Sequence, residues 1–252
     1  MEIKKVLFTT NLREPPYHIF EGLLGIKKIG LEEIILFSNR PPDGLRERLS
    51  QQGINLKGVK AFGSFVSKSV DTAQREDICL VVANIKREKG GSFRGSTAKN
   101  LIRDAHLPLL LSYENDEEGS YAEKGIFDSV VLATDWSAPA QRALDYIIAL
   151  KEIIGVLDIV NVLNEKPTVK DIRQLKARIE EIRQICLREK IDAESHIYAG
   201  KTPEEILLAA KDYNATLIVM GTGCKSTIRE IFWGSASYRV AEKATVPVLI
   251  IP

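Results

Sequence analysis

The stretch that decides the fold is Gly221-Thr-Gly-Cys-Lys-Ser-Thr-Ile-Arg-Glu-Ile-Phe-Trp-Gly-Ser235. It follows an apolar run, residues 215–220, whose pattern predicts a buried strand. It precedes Ala236–Lys243, which is predicted to form a short helix with Ser235 as its N-cap. Glycines at a strand end let backbone N–H groups approach an anion, and a helix start adds free N–H groups and the positive end of a dipole. The stretch is therefore a candidate phosphate-binding loop, and a simple tight turn is the alternative.

Two better known phosphate-binding motifs do not fit this stretch. A P-loop, Gly-x-x-x-x-Gly-Lys-Ser/Thr, would need glycine at Val219 and at Cys224. The dinucleotide fingerprint Gly-x-Gly-x-x-Gly would need glycine at Ser226. Both classes of site are therefore excluded here.

The composition is that of an ordinary globular protein. The chain has 252 residues, 44% of them hydrophobic and 27% charged, which allows one large domain or two of usual size. Its formal net charge of +1 gives no electrostatic case for nucleic acid as the main partner. No apolar run approaches the about 18 residues of a membrane span, and the first residues lead directly into a predicted strand without a signal peptide. We expect no membrane partner.

Cysteine and histidine usage gives no sign of a metal or disulfide framework. Cys79, Cys186 and Cys224 have neither paired nor metal-type spacing, so they are expected to be free thiols in a reducing cytoplasm. The three histidines are scattered and are expected to lie at the surface or at the edge of the core: His18, His106 and His196.

Strands and helices alternate through the whole chain, which predicts a mostly parallel sheet with helices on both faces. Residues 1–113 and 125–252 are predicted to form two domains, and the acidic residues 114–124 a linker. The predicted strands are residues 6–10, 33–38, 59–62, 78–83 and 107–111 in the first half, and 129–134, 157–163, 193–198, 215–220 and 246–251 in the second. The predicted helices are residues 17–28, 45–52, 67–75 and 97–104, then one with Ser137 as N-cap, then 169–190, 202–213 with a capping box at Thr202, and 236–243.

The two halves resemble each other. Residues 77–111 align without a gap onto residues 216–250 at a spacing of 139, which places Gly95-Ser96 on Gly234-Ser235. In that alignment Val82 and Ile85 take the positions of Gly221 and Cys224. Residues 6–11 match residues 130–135 at a shorter spacing, so that Asn11 stands where Asp135 does. The chain is thus predicted to be an internal duplication.

Ligands of open α/β sheets bind beyond the carboxyl ends of the strands, where the strand order reverses. The Asp135 turn and the Gly221 loop both leave such ends. The last strand of each half, Leu107–Leu111 and Val246–Ile251, carries a proline near its start, as edge strands do. Uncovered apolar edges favour pairing. We therefore expect these two edges to pair with each other in an intramolecular pseudo-dimer, or with another copy in a homodimer.

The second half resembles the universal stress protein domain over residues 125–252. The matching segments are Val130-Val-Leu-Ala-Thr-Asp-Trp-Ser137, Ile159-Val-Asn-Val-Leu163, Ile218-Val-Met-Gly221, Gly234-Ser-Ala-Ser-Tyr-Arg-Val240 and Val246-Pro-Val-Leu-Ile-Ile251. The first half resembles a degenerate copy. The resemblance implies two tandem α/β domains, each a five-stranded, mostly parallel, doubly wound sheet in the order 3-2-1-4-5.

The resemblance also implies an adenine nucleotide, ATP or AMP with or without Mg²⁺, as a non-covalent ligand. Members that bind ATP carry Gly-x-x-Gly-x9-Gly-Ser/Thr; here Gly221 and Gly234-Ser235 match, whereas Cys224 replaces the middle glycine and Gly223 stands one place early. The implied contacts are Ala133, Thr134 and Asp135 to adenine or ribose, Val162 to adenine, Met220, Gly221, Gly223 and Cys224 beside ribose and phosphate, and Gly234, Ser235 and Ala236 to the phosphates. Asp135 as a helix cap, and Met220 and Val162 as plain core residues, are the alternatives.

The implied function is a cytoplasmic stress-response module that binds nucleotide in its second domain. No nucleophile with an adjacent base and no carboxylate pair is evident, so no catalytic residue is assigned and at most a weak ATPase is expected. The alternatives are that slow ATPase and a nucleotide-free interaction module paired through its edge strands. Related nucleotidyl-transferring enzymes carry His-x-x-His or Ser-Gly-Gly-x-Asp-Ser signatures, which do not occur here.

Overall fold

The computed structural model describes residues 2–10, 17–37, 41–59, 72, 75–85, 100–103, 106–113, 125–163, 168–222 and 236–252. The chain divides into two compact units, Met1–Gly125 and Ile126–Pro252. The predicted linker, residues 114–124, and most of the predicted helix 67–75 lie outside the described residues. Within the described part, no helix is both long enough and apolar enough to cross a membrane.

The first unit is built on five parallel strands. They are β1 (Lys5–Thr10), β2 (Glu33–Phe37), β3 (Asn55–Val59), β4 (Leu80–Ile85) and β5 (Leu109–Tyr113). Pairing gives the order β3-β2-β1-β4-β5. Its described helices include α1 (Tyr17–Leu23), which continues as a 3₁₀ helix over Leu24–Ile29, and α2 (Leu45–Gln51). Residues 100–103, the described part of the predicted helix 97–104, are also helical.

The second unit repeats this plan. Its strands are β6 (Ser129–Ala133), β7 (Val156–Leu163), β8 (Asp192–Ala199), β9 (Leu217–Gly221) and β10 (Val248–Ile251). Pairing is again parallel, in the order β10-β9-β6-β7-β8. The helices are α3 (Ala138–Ala149), α4 (Val169–Arg188), α5 (Thr202–Asp212) and α6 (Ala236–Lys243).

These observations confirm the predicted fold class. Each unit has an α/β architecture with a parallel sheet in which the third strand lies at one edge and the fifth at the other. The central strands β4 and β6 are buried along their whole length and mostly apolar, as expected for a sheet covered on both faces.

Capping was predicted correctly for one helix and wrongly for another. Ser137 has extended backbone angles (φ −67°, ψ 161°), and its Oγ accepts a hydrogen bond from the Ala140 N–H at 3.4 Å, which confirms it as the N-cap of α3. The predicted capping box at Thr202 is wrong, because Lys201 is the N-cap of α5 and Thr202 is already helical.

The predicted strand bounds are wrong in several places. The third strand begins at Asn55, four residues before its predicted start at Val59, and the rest of the predicted strand, residues 60–62, lies outside the described residues. Strand β4 extends to Ile85, and β5 and β10 each begin two residues later than predicted. Pro108 and Pro247 therefore precede these last strands, and their carbonyl groups accept from Val81 N–H at 2.9 Å and Ile218 N–H at 3.0 Å.

The strand register also corrects the gapless alignment of the two halves. Thr9 pairs with Ala83 in the first unit, and Ala133 pairs with Met220 in the second. Residues 9 and 133 hold equivalent positions in β1 and β6, so their partners Ala83 and Met220 are equivalent as well. The next residue along each strand is Asn84 and Gly221, so Asn84 and not Val82 is the counterpart of Gly221. The segment between the fourth and fifth strands is consequently two residues shorter in the first unit, so the spacing of 139 does not extend through β4.

Candidate functional site

The candidate site lies where the strand order of the second unit reverses. From β6 the chain passes to β7 on one side, and it later returns to β9 on the other side of β6. Ala133 at the end of β6 pairs with Met220, which is followed by Gly221 at the end of β9. The segments that leave these two strands therefore begin side by side, at the position where doubly wound sheets bind ligands.

Local hydrogen bonds define the segment after β6. The Thr134 N–H donates to Val160 O at 2.9 Å, and Thr134 Oγ1 accepts from the Trp136 N–H at 3.2 Å. Asp135 Oδ1 accepts from the Ser137 N–H at 3.0 Å. Trp136 is held at φ +58°, an uncommon conformation for a non-glycine residue. Asp135 is exposed, so this capping-type hydrogen bond leaves its carboxylate accessible.

A buried amide supports the same segment from β7. Asn161 Nδ2 donates to Thr134 O at 2.8 Å, and only 4% of Asn161 is exposed. Its Oδ1 has no hydrogen-bond partner among the described residues. Sequence reasoning did not single out Asn161, although a polar residue within the apolar strand Ile159-Val-Asn-Val was a signal that could have found it.

Helix α4 contacts the segment through a cation–π pair. The guanidinium group of Arg178 lies 4.3 Å from the centre of the Trp136 ring. Such pairs contribute about 0.5–1 kcal/mol at exposed sites. The contact adds to the hydrogen bonds that fix the direction in which the chain passes from Asp135 into α3.

Gly221 is in close backbone contact with the first turn of α3. A Cβ atom added to Gly221 would lie 2.2 Å from the carbonyl carbon and oxygen of Pro139 and 2.6 Å from Ala140 N. The adjacent Thr222 is buried, and its N–H donates to Ile251 O at 2.8 Å. Glycine is thus required at this strand end by packing alone.

The structure brings together five of the predicted site residues: Ala133, Thr134, Asp135, Met220 and Gly221. Val162 is half-buried on β7, two residues beyond Val160, the partner of Ala133. Ala236 is the first residue of α6 and is half-buried. The four remaining predicted residues lie outside the described part of the chain: Gly223, Cys224, Gly234 and Ser235.

A second polar cluster lies on β7 and β8. His196 Nε2 is 2.8 Å from Asp158 Oδ1 and 4.0 Å from Glu194 Oε2, and His196 Nδ1 is 3.0 Å from the Tyr213 hydroxyl. Burial raises the pKa of Asp158, and the charges of Glu194 and Asp192 act in the same direction, against the hydrogen bond from His196. His196 was expected to be a surface or core-edge residue. The charged Asp158 inside an apolar strand was the signal of a partner.

The fold defines an α/β protein of the doubly wound class, in which the strand ends of β6 and β9 lie side by side at the switch point. The family model described as the universal stress protein family matches residues 127–252. The chain belongs to the universal stress protein family, which confirms the resemblance drawn from the sequence.

Individual relatives match half or all of the chain. Universal stress protein YxiE of Bacillus subtilis (strain 168) is 28% identical over 147 residues, covering 50% of this chain and 99% of YxiE. The crystal structure of a universal stress protein from Archaeoglobus fulgidus DSM 4304 matches with a TM-score of 0.76 at 21% identity, covering 99% of this chain and 96% of that one. The structure of the universal stress protein from Archaeoglobus fulgidus in complex with dAMP matches with a TM-score of 0.42 at 26% identity, covering 50% of this chain and 99% of that one.

Proposed function

We propose that the second unit binds an adenine nucleotide, ATP or AMP, at the carboxyl ends of β6 and β9, and that the protein acts as a cytoplasmic stress-response regulatory module. The observation that carries this proposal is the pairing of Ala133 with Met220, which brings the Asp135 segment beside the Gly221 strand end. Belonging to the universal stress protein family supports the same ligand class, as the sequence resemblance implied.

The chemistry of the proposed site is divided between the two strand ends. Asp135 is exposed and can accept hydrogen bonds from ribose hydroxyls or from the exocyclic amine of adenine. Val162 is half-buried and offers apolar surface for the base, and Met220 and Gly221 would lie beside ribose and phosphate. Phosphates would meet the loop 222–235 and the start of α6, whose first N–H groups attract anions.

Binding without turnover is the proposed mode of action. A slow ATPase would need Mg²⁺ beside the phosphates, and the exposed Asp135 is the hard oxygen ligand that the second unit offers at this position. We assign no catalytic residue. Nucleotide occupancy would instead change the surface that a regulatory partner contacts at the ends of β6 and β9.

We propose that the first unit does not bind nucleotide in the same manner. In the first unit, the residue that corresponds to Gly221 is Asn84. Asn84 is buried, and its Nδ2 donates to Ser112 Oγ at 3.1 Å. A side chain at this strand end removes the close backbone approach that glycine allows. The first unit would then serve as a built-in partner domain.

Pairing through the last strands of the two units is the proposed mode of association, either within one chain or between copies. Both β5 and β10 are apolar, and unpaired apolar edges are a liability. Analytical ultracentrifugation of the whole chain distinguishes the two arrangements. A monomer across the micromolar range supports pairing within the chain, whereas a dimer supports pairing between copies.

A nucleotide-free interaction module is the second candidate function. Gly221 is explained by its contact with Pro139, so this glycine does not by itself require a phosphate nearby. Cys224 in place of the family's middle glycine favours the same candidate.

Isothermal titration with ATP and with AMP, on the wild type and on Cys224→Gly, tests the proposal. Micromolar binding by the wild type at one site per chain supports a nucleotide-dependent switch. Binding gained only by Cys224→Gly supports the interaction module, since the loop would then be disabled in the natural chain. No binding by either protein overturns nucleotide binding. Cys79→Ala, in the first unit, is the matched control and should behave as the wild type.

A further inference from the structure

Three potential metal ligands converge on one face of the second sheet. Asp158 on β7 lies directly opposite Glu194 on β8, and His196 follows Glu194 by two residues on the same face. One ligand atom from each lies within 4.8 Å of the other two. The cluster is four residues before Val162 on β7, so it is separate from the proposed nucleotide site.

Contacts with Tyr213 fix the orientation of the His196 ring. His196 Nδ1 lies 3.0 Å from the Tyr213 hydroxyl, and the two rings are stacked with their centres 4.2 Å apart. Tyr213 therefore engages one ring nitrogen and leaves the other, Nε2, on the side of the carboxylates.

The other ring nitrogen faces two carboxylates. His196 Nε2 lies 2.8 Å from Asp158 Oδ1 and 4.0 Å from Glu194 Oε2. Imidazole nitrogen and carboxylate oxygen are both ligands of transition-metal ions, so these three atoms form a possible ligand set.

We propose that Asp158, Glu194 and His196 bind a divalent cation of the zinc class, with water completing the coordination. Zinc accepts imidazole nitrogen and carboxylate oxygen at about 2.0–2.2 Å, which sets ligand atoms about 3.3 Å apart in a tetrahedron. The Asp158–His196 pair would open by about half an ångström to reach that spacing. The Glu194 side chain is 75% exposed and can turn inward.

The surroundings favour this class of ion over the alternatives. A nitrogen ligand among carboxylates suits Zn²⁺, whereas Mg²⁺ and Ca²⁺ prefer oxygen ligands alone. Asp192 on β8 adds a third carboxylate near Asp158, and its negative charge favours a cation here. Tyr213 would act as the outer hydrogen-bond partner that orients a ligating histidine.

Co²⁺ titration of the full chain, followed by its visible d–d absorption, measures occupancy and ligand type together. We expect one ion per chain and no sulfur-to-cobalt charge-transfer band, which separates this site from the cysteines. His196→Gln and Glu194→Gln should each weaken binding at least tenfold. His106→Gln, which changes an exposed histidine of the first unit, should leave it unchanged.

Glu194 is exposed, so Glu194→Gln keeps the test valid even if His196→Gln fails to fold. Tyr213→Phe removes only the outer partner and should weaken binding about 10–100-fold. Equal affinity in the wild type, His196→Gln and Glu194→Gln would overturn the proposal. An absence of saturable binding up to millimolar Co²⁺ or Zn²⁺ would also overturn it.

Discussion

The backbone of Pro139 occupies the space that a side chain at Gly221 would need, because an added Cβ would lie 2.2 Å from the Pro139 carbonyl carbon and oxygen. This contact joins the end of β9 to the first turn of α3. It therefore sets the distance between the two segments that border the candidate nucleotide site.

Gly221→Ala should destabilise the second unit. The clash involves backbone atoms, which cannot turn aside as a flexible side chain can, so α3 or β9 must shift. We expect a loss of about 1–3 kcal/mol in the free energy of unfolding, measured by urea denaturation. Gly58→Ala is the control, since an added Cβ at Gly58 meets nothing within 4 Å. Equal unfolding midpoints for the two variants would contradict the contact.

Asn161→Asp should make the stability of the second unit depend on pH. Asn161 Nδ2 donates to Thr134 O from a buried position, and an ionised carboxylate there can neither donate nor reach water. The folded-state pKa of the new carboxyl should therefore rise above its unfolded value of about 3.9, because only the protonated form can donate. The folded state then holds the proton more tightly, so stability falls as pH rises through the folded pKa.

Urea denaturation of Asn161→Asp at pH 5 and pH 7.5 measures this effect. We expect a loss of about 1–3 kcal/mol relative to the wild type at pH 7.5, and a smaller loss at pH 5. Asn161→Leu, which has no titratable group, should show the same loss at both values. A pH-independent loss in Asn161→Asp would show that the amide does not support Thr134.

Cys79 and Cys186 should differ sharply in reactivity. Cys186 on α4 is fully buried, and burial raises its pKa to about 11, so very little thiolate forms near neutral pH. Cys79 is half-buried. Iodoacetamide at pH 7.5, followed by peptide mass spectrometry, should modify Cys79 and leave Cys186 unmodified until urea is added. Modification of Cys186 in the native protein at the rate of Cys79 would contradict its burial.

The sequence predicted the strands that are buried on both faces, because an uninterrupted apolar run marks them. It failed at β3, where Asn55-Leu-Lys-Gly-Val buries only Leu56 and so carries almost no hydrophobic pattern. It also ended β4 too early, because Asn84 is polar. Hydrogen bonding of Asn84 to Ser112 makes that burial possible, and no local pattern reveals a partner 28 residues away.

The candidate site was likewise predicted only in part from the sequence. Family motifs pointed to Asp135 and Gly221, and the structure places both beside the Ala133–Met220 pair. Hydrophobic periodicity could not reveal the hydrogen bond from Asn161 to the Thr134 carbonyl, or the one between His196 and Asp158 on neighbouring strands. Both contacts depend on the strand register. The contact between Gly221 and Pro139 likewise follows from the packing of α3 on β9, which the sequence does not specify.

Titration of ATP into the wild type, Asp135→Ala and Asp145→Ala tests the central claim most directly. Asp145 is an exposed carboxylate on α3 whose Oδ1 accepts from Gln141, so it controls for the loss of one negative charge. We predict one site per chain, a loss of affinity of about ten- to a hundredfold in Asp135→Ala, and no change in Asp145→Ala. Wild-type affinity in Asp135→Ala, or no saturable binding by the wild type, would contradict it.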